Sequence, residues 1–192
     1  MRIKAIVITL ASALLLCGCA DLNDYLVDKF RSSEPENSSD SNESHVSNER
    51  NFGYWDVGDG LLIADYHGIE EDVVIPETIH GKQVLGVNSY VFEHNVFIKH
   101  ITLPDGAVLI DECAFSDCIE LEEVTLPESM REIYMEAFAD CKKLSKINIP
   151  SGIKFISYDA FSGCENIKAE YKGKIYDYDH IVELCDLVHG IT

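Results

Sequence analysis

The chain has 192 residues, 34 of them acidic against 15 basic, giving a formal charge of −19. Residues 51–192 alone carry 26 acidic and 10 basic side chains, a surface that repels phosphate backbones and disfavours nucleic-acid binding. The length leaves room for one domain plus addressing segments.

Residues 1–18 read MRIKAIVITLASALLLCG. Arg2 and Lys4 form a short positive segment. Ala5 to Leu16 is an apolar run of about a dozen residues, where a membrane-spanning helix needs roughly 20. This is the layout of a signal peptide. It ends in Leu16-Cys17-Gly18-Cys19, which resembles the lipobox of bacterial lipoproteins. The resemblance implies cleavage before Cys19, a diacylglyceryl thioether on its sulfur, and a membrane-anchored, extracytoplasmic protein. Residues 19–50 follow, and from Ser32 onward they are Ser, Asn, Glu and Asp with almost nothing to bury. That composition predicts a disordered acidic tether reaching about 30 Å root-mean-square.

In residues 51–72, two strand-like runs flank Gly58-Asp59-Gly60 and predict a hairpin, with Tyr54 and Trp55 covering the first coil of what comes next. Residues 73–169 are built on an internal repeat. Segments beginning at Ile101, Val124 and Ile147 align without a gap at a period of 23 residues. A fourth, from Val73, joins them once five extra residues are allowed between Pro76 and Val84. One column holds Phe92, Phe115, Phe138 and Phe161; Ala114, Ala137 and Ala160 precede the last three, and Cys118, Cys141 and Cys164 follow them. Within a coil, Leu121-x-x-Val124-x-Leu126 puts Val124 and Leu126 on one face and Thr125 on the other. A proline ends this strand, a second short strand carries Ile133, and Ala-Phe opens a short helical or 3₁₀ turn that closes the coil. One such coil cannot bury its apolar side alone, so the coils stack and share a core.

Residues 170–192 are expected to close the stack. Tyr171 to Tyr176 reads as a hairpin. Asp177 or Asp179 then caps a helix carrying Ile181, Leu184 and Leu187 or Val188 on one face.

The repeat pattern L-x-x-[IV]-x-[IL]-P-x-x-[VIM]-x-x-I-x-x-x-A-F-x-x-C resembles the Treponema-type, or BspA-like, leucine-rich repeat. The resemblance implies a repeat solenoid: a short right-handed coil of about four 23-residue repeats, with an N-terminal hairpin cap and a C-terminal strand-helix cap. It also implies a surface role in recognition or adhesion for some members. Where many members have glycine after the isoleucine of the second strand, this chain has Asn88, Asp111, Tyr134 and Ser157.

Chemistry is sparse. Beyond Cys19, the cysteines Cys113, Cys118, Cys141, Cys164 and Cys185 are odd in number, which argues against a full disulfide framework. Side chains one coil apart run parallel and do not converge on a metal. Cys113 with Cys185 is the one pair the spacing leaves open. The histidines show no HExxH or other close pairing, no nucleophile elbow occurs, and Gly81-Lys82 lacks the rest of a phosphate loop. The expectation is therefore no enzyme, no cofactor and no metal. What remains is the outward face of the strand ladder. One file holds Val74, Thr102, Thr125, Asn148 and Tyr171, and its neighbour holds Asp72, His100, Glu123 and Lys146. These are the expected contact residues of a monomer that binds a protein or glycan, with the lipid on Cys19 as its link to the membrane. The alternative is an accessory envelope lipoprotein without a host ligand.

Overall fold

The computed structural model describes residues 49–191. The segments expected to be a signal peptide and an acidic tether, up to residue 48, and Cys19, the expected lipidation site, lie outside the described residues. Among the described residues no helix is long and apolar enough to cross a membrane.

The strands are short because each spans one side of a coil. In chain order they are β1 (Phe52–Asp56), β2 (Leu61–Tyr66), β3 (Asp72–Val74), β4 (Thr78–Ile79), β5 (Lys82–Val87), β6 (His100–Thr102) and β7 (Leu109–Ile110). Then come β8 (Glu123–Thr125), β9 (Glu132–Ile133), β10 (Lys146–Ile149), β11 (Phe155–Ile156), β12 (Lys168–Tyr171) and β13 (Lys174–Asp177), followed by helix α1 (Ile181–His189). One sheet runs β1-β2-β5-β7-β9-β11, with β4 attached to β5, and the other runs β13-β12-β10-β8-β6-β3. From β2 to β11 and from β3 to β12 every neighbouring pair is parallel. Four complete coils stack as expected, and β2 and β12 add half a coil at each end, about five turns in all.

The core lies between the two sheets and the turns that join them. Val73, Ile101, Val124 and Ile147 fill it from one sheet and Val87, Ile110, Ile133 and Ile156 from the other, all buried. Its third side is the phenylalanine column. Successive rings of Phe92, Phe115, Phe138 and Phe161 lie 4.8, 5.2 and 5.5 Å apart and within 7° of parallel. The spacing follows the coil repeat, since parallel strands lie 4.7–4.9 Å apart.

The turn after the second strand is not a helix. Alternate amides close local turns, as in Ala114 N–H to the Asp111 carbonyl (3.2 Å) and Ser116 N–H to the Cys113 carbonyl (3.1 Å). The others reach the next coil, as in Phe92 to Ala114, Phe115 to Ala137 and Phe138 to Ala160, each 2.8 Å. A helix would spend every amide on its own axis and leave none for the neighbouring coil. The alternation requires left-handed residues, found at Cys113 (φ 52°), Glu136 (φ 53°), Asp117 (φ 56°) and Asp140 (φ 55°).

The cysteine column is buried and bonded. Cys118, Cys141 and Cys164 donate S–H to the carbonyls of Phe92, Phe115 and Phe138, one coil back, at 3.1, 3.1 and 2.9 Å. Asn95 holds the same place in the first coil and instead accepts the amides of Phe97 and Ile98. All five described thiols are free, so Cys113 and Cys185 do not pair. Cys113 Sγ lies 3.6 Å from Glu136 Oε2, and Cys185 Sγ lies 3.9 Å from the Ser157 carbonyl. Burial pushes the Cys113 thiol up to about 12 and the Cys185 thiol up to about 11. These five thiols should therefore resist a maleimide or disulfide reagent at neutral pH until the chain unfolds. Counting modified thiols along a urea titration checks this; labelling of any of the five well before the unfolding transition would contradict it.

The expectations for the caps hold in part. The β1–β2 hairpin forms, but a bulge between Gly53 and Tyr54 shifts its register. Phe52 and Tyr66, not Trp55, extend the ring column, with Phe52–Tyr66 at 5.1 Å and Tyr66–Phe92 at 5.0 Å. Tyr54 packs half-buried on the core, while Trp55 opposes Leu62, outside that core. The five extra residues of the first coil form the β4–β5 hairpin, turned at His80 (φ 51°) and Gly81 (φ 76°).

At the other end β12 and β13 pair antiparallel around Lys172 (φ 49°) and Gly173 (φ 77°). Ile181, Leu184 and Cys185 of α1 are buried and Val188 packs against them, whereas Leu187 faces solvent. Helix α1 begins at Ile181, after a 3₁₀ turn over Tyr178–His180, and neither Asp177 nor His180 forms a side-chain cap bond. The Asp177 carboxylate goes to the His180 ring instead, at 2.6 Å. The ring holds the Asp177 carboxyl below its usual range, and the carboxylate raises the His180 imidazole. The histidine's contribution is present below its unfolded value of about 6.5 and fades as pH rises through the raised one. The aspartate's is present above about 3.9 and fades as pH falls through the lowered one. The pair is thus intact around pH 4–6.5. Asp177→Asn should lower the His180 titration midpoint followed by NMR, and an unmoved midpoint would count against the pairing.

Candidate functional site

The β3–β13 sheet turns one face to the core and the other to solvent. Strand register aligns Asp72, His100, Glu123 and Lys146 in one outward file. Val74, Thr102 and Thr125 form the next, with Val73, Ile101 and Val124 buried between. The first file carries two side-chain pairs. His100 Nδ1 lies 2.5 Å from Asp72 Oδ1, and Lys146 Nζ lies 2.5 Å from Glu123 Oε1. A parallel pair, Lys99 with Glu71 at 2.7 Å, borders it. These pairs are exposed and contribute little stability.

Two expected face residues behave differently. Asn148 lies at the right height, but its amide is occupied. Oδ1 accepts the Leu126 amide at 2.8 Å, and Nδ2 donates to the Leu126 carbonyl at 2.7 Å. In the two preceding coils a backbone carbonyl receives the equivalent amide, Ile75 to Thr102 and Leu103 to Thr125. Asn148 thus clamps coil to coil. Tyr171 is not on the face. Ile147 pairs with Ala169 and Asn148 with Glu170, so the last coil runs one residue short and Tyr171 points into the core. Lys168, Glu170 and Ile175 complete the outward face instead. Alternation of apolar Ala169 and Tyr171 with polar Lys168 and Glu170 is the signal that would have placed them.

The described histidines lie beside carboxylates or rings. His67, His94 and His100 face Asp65, Asp117 and Asp72, and His189 lies against the rings of Phe155 and Tyr158. Among the described residues no three His, Cys, Asp or Glu side chains gather as a metal site. Burial keeps Asp111 and Glu112 carboxyls raised, the latter also through the neighbouring Asp111 and Glu136 charges.

Residues 85–172 match the model of the BspA type leucine-rich repeat region, in six copies. No curated protein matches the chain. Among solved structures, the leucine-rich repeat protein TpLRR of T. pallidum is 26% identical with a TM-score of 0.56, over 64% of this chain and 69% of that one. A leucine-rich repeat protein from Bacteroides capillosus is 22% identical with a TM-score of 0.54, over 63% of this chain and 95% of that one. The second likeness concerns the fold.

Proposed function

Taking residues 85–172 as a BspA-type leucine-rich repeat region, we propose that the chain is a cell-surface recognition lipoprotein that binds a protein or glycan without catalysing a reaction. Its lipid anchor is the thioether on Cys19, and its contact surface is the outward face of the β3–β13 sheet. The observation that carries this reading is the row Val74, Thr102 and Thr125, whose short side chains leave the strand backbone approachable. Exposed side-chain pairs border that row. A rigid, repeating outer face is where solenoids meet partners.

The test displays the chain on beads and probes host matrix, mucin and bacterial lysates. Capture of a host component that disappears on Thr102→Arg with Thr125→Arg supports recognition by this face. Both threonines are outside the core, so the double variant should fold. Capture of envelope proteins alone, indifferent to the two arginines, would instead support an accessory role in the envelope.

A further inference from the structure

A second exposed surface lies on the edge where each coil turns from its ring column into the β3–β13 sheet. Backbone bonds set its alignment. Lys99 N–H meets the Glu71 carbonyl at 2.7 Å, Glu122 N–H the Lys99 carbonyl at 2.7 Å, and Ser145 N–H the Glu122 carbonyl at 3.0 Å. The residues just before these positions therefore sit at successive coil tips. They are Ile69, then Val96 and Phe97, then Ile119, then Lys142 and Lys143.

The apolar tips are conspicuously wet. Ile69 is 73% exposed, Val96 50%, Phe97 49% and Ile119 41%. In the coil of Val96 and Phe97 the tip is held rather than loose, because Asn95 Oδ1 accepts the amides of Phe97 (2.9 Å) and Ile98 (3.1 Å). Four large apolar side chains presented in one row over three coils mark an interaction surface. They serve no core.

We propose that this strip joins two copies of the chain about a two-fold axis. The charges at its ends are what select a second copy. Beside Ile69 stand the exposed carboxylates Glu71 and Asp72, which also face Lys99 and His100, and beyond Ile119 stand the exposed Lys142 and Lys143, the latter also facing Glu120. A two-fold axis between the Phe97 and Ile119 tips lays Val96 and Phe97 of each copy on Ile119 of the other. It also brings Lys142 and Lys143 of each copy to the tip of Ile69 and Glu71 of the other. An anionic membrane lacks that complementarity and is repelled by the acidic surface. A strip of four side chains falls short of the roughly 800 Å² per partner that a standard stable interface buries. The chain is thus a monomer when dilute and pairs as it is concentrated.

Sedimentation equilibrium of the full chain in a density-matched non-ionic detergent, from about 1 to about 100 µM, tests this. The mass should rise toward the dimer, and Phe97→Asp should lower the association constant at least tenfold. Glu71→Lys and Lys142→Glu should each weaken pairing. An equimolar mixture of the two variants should pair more tightly than either alone, because one contact is then native and in the other the two charges have changed places. These are exposed side chains, and unchanged circular dichroism confirms that each variant folds. Monomeric mass at every concentration, or association untouched by Phe97→Asp, would overturn the proposal. So would a monomer whose binding to phosphatidylcholine vesicles alone responds to Phe97→Asp, which would assign the strip to lipid. None of these outcomes bears on the threonine face.

Discussion

Phe138→Ala should lower the unfolding free energy by about 3–5 kcal/mol, the range for aromatic truncation in a core. The ring is fully buried between Phe115 and Phe161. Its backbone is fixed to the following coil twice, by Phe138 N–H to the Ala160 carbonyl and by the Cys164 thiol to the Phe138 carbonyl. These bonds survive the substitution and hold the coils at their spacing, so the space left by the ring cannot close. A residual cavity is what turns a transfer loss into a larger one. Chemical unfolding monitored by circular dichroism gives the difference directly. A loss of under about 1 kcal/mol would show that the ring column is not a principal part of the core.

Asn148→Leu should cost about 2–3 kcal/mol, even though it places an apolar side chain of similar size where half the surface is already covered. The cost comes from Leu126, whose amide and carbonyl both lose their partner in a part-buried position. Asn148→Asp keeps an acceptor for the Leu126 amide and loses only the donor, so it should retain more stability than leucine does. Thr125→Arg, at an exposed neighbouring position, should change stability by no more than about 0.5 kcal/mol. Equal effects at positions 125 and 148 in a thermal melt would mean that Asn148 is an ordinary face residue after all. This contrast also governs how the recognition face is probed. A lost ligand after substitution of Asn148 would report a loosened coil as readily as a lost contact.

The repeat was legible because it is a matter of spacing. Like side chains recur every 23 residues, and parallel stacking converts that period into rings 4.8–5.5 Å apart. The outward file from Asp72 to Lys146 was legible for the same reason, since two-residue alternation around a buried Val124 fixes which neighbours face out. Reading failed where the period changed. The last coil is one residue short, which moved Tyr171 inside and Glu170 out. The bulge at Gly53 did the same to the cap, setting Phe52 and Tyr66 over the first ring in place of Trp55. A slip of one residue reverses the face of every side chain beyond it.

The sequence by itself determined the coil and its inward columns, because each depends only on local periodicity and residue type. The tertiary structure decided where backbone groups find their partners. It replaced a helical turn with alternating amides that reach the next coil, turned the cysteine column into thiol donors for phenylalanine carbonyls, and spent Asn148 on Leu126. It also brought Ile69, Val96, Phe97 and Ile119 to neighbouring tips, across an insertion that hides their alignment in the chain. The physical reason is that a buried amide or carbonyl must be satisfied by whatever lies within about 3 Å of it, and in a stack of coils that neighbour is more than twenty residues away in sequence.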